Sequence, residues 1–203
     1  MKFKHFESPE KFGTYLIGAA ACDICGFERK CFDGSFFSGE EEINAICPDC
    51  LIAGELKEMD IFTCQGDRGE LEQQLREINP AMSDEEIEKR INEKTEELEK
   101  TTPALITWQD WDWPACDGDY CVFIAYGSQP LFNQLAKDKN GKRLFKDSIY
   151  YTMDADDDID ELWDESLPEK NVKNSKDAET LSPLFYVFKS LNSDTIVTLW
   201  DID

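Results

Sequence analysis

Apolar positions recur along this chain in three rhythms, and each predicts a different kind of structure. Through residue 66 they are scattered and largely aromatic. Phe3, Phe6, Phe12 and Tyr15 form a lead-in expected to pack onto the first cysteine knuckle, at Cys22 and Cys25, and Phe32, Phe36 and Phe37 surround Gly34 in the pattern of a short hairpin. Between 67 and 103, Leu71, Leu75 and Ile78 repeat at helical spacing, Asn79-Pro80 interrupts, and Ile87, Ile91 and Leu98 resume the stripe. Ser83-Asp84-Glu85-Glu86 is a capping box, the serine accepting from the amide three residues on and Glu86 reaching back. Acidic residues at this start and Lys100 near the end suit the helix dipole, and Thr101-Thr102-Pro103 closes the run. The stripe is narrow and the other faces are charged. This predicts a helical hairpin on the surface of the fold, with a protruding partner-binding arm as the alternative.

From 104 onward the pattern turns to strands. Leu184-Phe185-Tyr186-Val187-Phe188, a turn at Asn192-Ser193-Asp194, and Thr195-Ile196-Val197-Thr198-Leu199-Trp200 read as a β-hairpin. Asn140-Gly141 marks a basic hairpin turn leading into a strand candidate at Ser148-Ile149-Tyr150-Tyr151, and 166–182 read as a polar linker. Trp108, Trp111 and Trp113 suit either a core or a binding platform; alternation at 111 and 113 fits one face of a strand.

The cysteines add a staple to this outline. Cys22-Asp23-Ile24-Cys25 and Cys47-Pro48-Asp49-Cys50 are Cys-x-x-Cys pairs with 21 residues between them, the spacing of a tetrahedral zinc site. Gly26 permits the turn that lets amides face sulfur. Four thiolates fill every position of the metal, so Cys22, Cys25, Cys47 and Cys50 read as ligands of one structural zinc ion. Its binding energy, about 10–16 kcal/mol in small peptides, becomes folding energy. A redox dithiol and unbound buried thiols are the competing readings. Cys31 and Cys64 read as small buried hydrophobes, with Cys31 an outside candidate for a substitute ligand. Cys116 and Cys121 are spaced for a second knuckle, but two thiolates alone cannot close a zinc site. His5 is the sole histidine and reads as part of the aromatic lead-in, which removes histidine-based triads and His-rich catalytic metal sites. The expected class is therefore α+β. A zinc-ribbon module at 1–66 precedes a charged helical hairpin at 67–103 and a β-rich acidic module at 104–203 that supplies an antiparallel sheet. One compact domain is the alternative division.

Charge narrows the partners. The chain carries 44 Asp and Glu against 21 Lys and Arg, a net charge of −23. Such a surface repels nucleic-acid phosphates and anionic lipid, and it attracts a basic protein partner; solubility alone is the bland reading. Asp154, Asp156, Asp157, Asp158, Asp160, Glu161, Asp164 and Glu165 make up eight of the twelve residues from 154 to 165, where no basic residue occurs. They are the candidate partner-binding residues. An EF-hand reading of that stretch fails at Ile159, where the loop needs glycine, and at Glu161, where it needs an apolar residue. Asp117 and Asp119 flank Gly118 as turn caps or as an acid/base pair. The apolar run before Cys22 has the look of a lipoprotein leader, but Glu7, Pro9 and Glu10 interrupt it. No run approaches the ~18 apolar residues of a membrane helix, and a cytoplasmic protein with reduced thiols is expected.

Several landmarks together resemble the CbrC-like family of small bacterial proteins, associated by name with colicin tolerance. They are Phe3 to Pro9, Cys22 and Cys25, Ile46 to Ala53, Thr102-Pro103, Trp108-Gln109, Cys116 to Phe123 and the terminus Trp200-Asp201-Ile202-Asp203. The resemblance implies a Cys-x-x-Cys knuckle in the final hairpin, where this chain has Ser190-Leu191-Asn192-Ser193, so a second metal site that relatives complete there would be empty here. Resemblance and charge together give the expected function. It is a non-enzymatic, zinc-stabilised binding factor, an immunity or tolerance protein that neutralises a basic, nuclease-type toxin domain. The rival expectations are a metal-dependent hydrolase using Asp117 and Asp119, and a regulatory zinc-ribbon protein.

Overall fold

The computed structural model describes residues 2–151 and 158–203. In the first segment, helix α1 (Pro9–Phe12) precedes a set of two-residue strands whose pairings bring the cysteines inward. Strand β1 (Ala20–Ala21) pairs antiparallel with β2 (Glu28–Arg29) around the first knuckle. Strand β3 (Phe32–Asp33) pairs with β5 (Ala45–Ile46), and β4 (Ser38–Gly39) with β6 (Ile61–Phe62). Helix α2 (Pro48–Ala53) grows directly from the second knuckle. Pro48, whose missing N–H costs nothing in the first turn, opens it, and Gly54 closes it at φ 75° with its amide on the Cys50 and Leu51 carbonyls.

The helical hairpin forms as its pattern predicts. Asp67 caps α3 (Arg68–Ile78) through the Glu70 amide, and Ser83 with Glu86 completes the capping box of α4 (Asp84–Thr101). Leu71, Leu75, Ile87, Ile91 and Leu98 are buried. The outer faces carry ion pairs such as Arg76–Asp84 at 2.7 Å and Arg76–Glu72 at 2.9 Å.

Strands β7 (Ala115–Cys116) and β8 (Asp119–Tyr120) form a tight hairpin that leads into β9 (Val122–Tyr126). A three-stranded antiparallel sheet has the order β11 (Ile196–Asp201), β10 (Leu184–Lys189), β9. Its central strand is an unbroken apolar run because both faces are covered. Tyr186 and Phe188 face a cluster that includes Trp111, Trp113, Phe123 and Tyr126. Phe185 and Val187 face a second core of Phe132, Phe145, Trp163 and Leu167. The first core runs without a break from Phe3 through the metal-type cysteines and the helical hairpin to Leu199.

Three local expectations are corrected. Phe3 and Tyr15 pack on Phe32 beside the first knuckle, but Phe6 and Phe12 pack on Phe123 of the sheet. The lead-in therefore fastens the cysteine module to the sheet, and the Glu7 and Phe123 amides donate to the Phe123 and His5 carbonyls to hold it there. Asn140-Gly141 is a helix start, not a hairpin turn. The Asn140 side chain accepts from the Arg143 amide and opens α6 (Gly141–Ser148), so the expected strand at 148–151 is replaced by a helix end and a single bridge from Ile149 to Thr198. A Cβ at Gly141 would lie 2.6 Å from the Asn133 nitrogen, which explains why glycine stands where α6 meets α5 (Gln129–Leu135). The expected linker at 166–182 carries structure as well: it follows the turns α7 (Ile159–Glu161) and Leu162–Ser166, and it includes α8 (Ser175–Ala178).

Candidate metal centre

The sulfurs of Cys22, Cys25, Cys47 and Cys50 all lie within 4.8 Å of one another, with Cys25 and Cys47 3.9 Å apart. Metal–sulfur bonds of about 2.3 Å at a tetrahedral centre place sulfurs roughly 3.8 Å apart, so this donor set fits such an ion. All eight cysteines are free thiols, and among the described residues this is the group of three or more ligand atoms close enough to share a metal.

Local backbone makes the cluster. Gly26, at φ 73°, turns the chain so that its amide donates to the Cys22 carbonyl at 2.8 Å. The Cys47 amide donates to the Cys22 sulfur at 3.3 Å. Burial opposes ionisation of Cys22, but the amides of Cys25, Cys47 and Ile24 outweigh it and lower its pKa to about 7. Burial, then hydrogen bonds from the other thiols, pushes Cys50 up. A cation bound between the four sulfurs would favour their thiolate forms.

Two supporting residues escaped the sequence reading. Asp23, inside the first Cys-x-x-Cys, accepts the Asn44 amide at 2.6 Å and the Ala45 amide at 3.2 Å, and its own amide donates to the Ala45 carbonyl. Arg29 pairs with Asp49 at 2.6 Å and holds its guanidinium 4.0 Å from the Cys47 sulfur, a positive charge beside a thiolate cluster. A charged residue next to a cysteine knuckle was the available signal in both cases.

The other candidates resolve one by one. Cys31 is fully buried, donates to the Ala20 carbonyl at 3.5 Å, and burial pushes its thiol up to about 11, as suits a small core residue outside the ligand group. His5 is buried too. Burial lowers its pKa to about 4, and its Nδ1 lies 3.3 Å from the Cys121 carbonyl. Trp113 is fully buried and donates to that same carbonyl, while Trp108 and Trp111 are half-buried against the sheet. Asp117 and Asp119 do not converge. Asp117 accepts from the Ser190 and Ser193 hydroxyls at 2.7 and 2.6 Å, whereas Asp119 pairs with Lys94 at 2.5 Å.

In the acidic stretch, Asp154, Asp156 and Asp157 lie outside the described residues. Asp158 caps α7 through the Asp160 amide at 2.8 Å. Asp160 sits between Lys142 at 2.9 Å and Lys146 at 2.6 Å, and Asp164 accepts Lys142 at 2.9 Å. Lys142, which read as part of a basic turn, and Lys146 share one face of α6, four residues apart, and they offset part of the acidic segment. Glu161 and Glu165 remain exposed.

No helix among the described residues is long and apolar enough to cross a membrane. No solved structure matches the chain. The model of the uncharacterised protein family UPF0167 matches residues 1–192, and the chain belongs to that family.

Proposed function

We propose that the four-cysteine centre holds one structural zinc ion and that the protein is a non-enzymatic, acidic binding factor. Its partner in this reading is a basic, nuclease-type toxin domain, and its role is that of an immunity or tolerance protein. The observation that carries the reading is the conjunction of a closed four-thiolate donor set with a net charge of −23. Four thiolates leave a tetrahedral ion no position for substrate, so the ion's contribution is to folding. The charge then supplies the recognition. An acidic surface can occupy a cleft built for phosphate, and it accelerates the encounter with a basic domain. The stretch from Asp154 to Glu165 is the contact surface in this account. The hydrolase reading is weakened because Asp117 and Asp119 engage different partners. A regulatory zinc-ribbon role shares the same geometry and differs only in its partner.

Calorimetric titration of the zinc-loaded protein with catalytically inactivated basic nuclease domains tests the reading. Affinity should fall steeply as salt is raised, and it should fall again in Asp156→Asn/Asp157→Asn/Asp158→Asn. Lys142→Ala/Lys146→Ala should bind more tightly, because it frees Asp160 and Asp164 for the partner. Binding that ignores salt, or is unchanged in the triple variant, contradicts the electrostatic account.

A further inference from the structure

We propose that Cys116 and Cys121 are a thiol–disulfide exchange pair, with Cys116 the attacking thiol and Cys121 the resolving one. Cys116 pairs with Asp119 beside the Asp117-Gly118 turn of the β7–β8 hairpin, and the Cys121 amide donates to the Pro114 carbonyl on the opposite side. This register puts both side chains on one face of the hairpin, as diagonal neighbours. Exposure divides their roles: Cys116 is partly exposed and Cys121 is fully buried.

The surroundings favour the pair over a metal. Asp117 is held at φ 57° in the hairpin turn, with its carboxylate engaged by the Ser190 and Ser193 hydroxyls and its carbonyl by the Asn192 side chain. No third ligand atom among the described residues joins the two sulfurs in a metal-sized group. The adjacent Cys121 thiol holds the Cys116 thiol below its usual range. That same contact, together with burial, pushes Cys121 up. The outer sulfur is therefore the one that ionises.

The co-reactant is a low-molecular-weight disulfide. Cys116 thiolate attacks one of its sulfurs, the S–S bond breaks, and the departing thiolate takes up the proton that Cys116 released. Cys121 then loses its proton and attacks the Cys116 sulfur. The second small thiolate leaves and takes that proton. One small disulfide is reduced to two thiols while two protein thiols are oxidised to one disulfide.

The test treats the zinc-loaded protein with glutathione disulfide, blocks remaining thiols, and analyses the tryptic peptide between Lys100 and Lys137, whose cysteines are Cys116 and Cys121 alone. The expected product is an unblocked peptide with an internal disulfide that a dithiol reductant reverses. Cys121→Ser should instead accumulate a glutathione adduct on Cys116, and Cys116→Ser should leave Cys121 unmodified. Two free thiols in the wild type, a persistent adduct on its Cys116, or modification of Cys121 in Cys116→Ser would each overturn the proposal.

Discussion

Asp23 accepts the amide hydrogen of Asn44 at 2.6 Å, so a residue between the first two cysteines is tied to the strand that delivers the second two. The same oxygen takes the Ala45 amide, and Ile46 and Cys47 come next in the chain. Relative placement of the two knuckles thus rests on a carboxylate as well as on an ion. Asp23→Ala keeps all four sulfurs but loosens their frame. Its affinity for zinc, measured by competition with a chelating dye, should fall about 10- to 100-fold, the usual effect of removing a residue that orients ligands. Unchanged affinity would mean that the strands alone set the geometry.

At the far end of the chain Asp201 does comparable work without a metal. It is buried, and one carboxylate oxygen accepts the Tyr186 hydroxyl at 2.8 Å and the Trp108 and Gln109 amides at 2.9 and 3.3 Å. It pins the segment leading to the tryptophans onto the sheet edge. Asp201→Ala removes the acceptor of the half-buried Trp108 amide and one of the two acceptors of the buried Tyr186 hydroxyl, which keeps the Ile106 carbonyl at 3.0 Å. Each such loss costs roughly 1–3 kcal/mol, which should appear as a lower midpoint in urea unfolding.

The pair Asp119 and His5 sets a pH dependence. Burial first, then Lys4, lowers the folded-state pKa of His5 to about 4, against 6.5 in the unfolded chain. Between these values the unfolded state binds the proton and the folded state does not. The contribution of His5 is therefore fully present above pH 6.5 and is lost as pH falls toward 4, by on the order of 3 kcal/mol. Asp119 acts in the same direction. Burial opposes its ionisation, but Lys94 and Lys4 outweigh that and depress its pKa, so its contribution is lost as pH falls below the ordinary carboxylate range. Thermal unfolding across pH 4–7 should show a steeper fall for the wild type than for His5→Asn, with equal zinc content verified at each point. Parallel curves would remove His5 from the account.

How much of this was legible in the sequence depends on how local each signal is. The capping box of α4 and the apolar run of β10 depend on neighbouring residues, and each forms as the pattern predicts. The cysteine spacing was enough to bring four sulfurs together. Asn140-Gly141 misled because asparagine serves equally as a turn residue and as a helix cap, and close packing of Gly141 on Asn133 decides between them. The pairing of Lys142 and Lys146 with Asp160 was invisible for the same reason, since their shared face exists only once α6 is a helix. Phe6 and Phe12 reach across more than a hundred residues to Phe123, a contact that no local period encodes.

The central claim is that the four thiolates bind one structural ion on which the continuous core depends, because Cys22 and Cys47 are buried in the same cluster as the helical hairpin and the sheet. Native mass spectrometry of the purified protein, beside Cys47→Ser, tests it most directly. The account predicts one zinc per chain in the wild type, and a variant that carries none and unfolds cooperatively at lower temperature throughout its length. A wild type that folds stably without metal, or a Cys47→Ser variant that loses zinc yet melts unchanged, would contradict it.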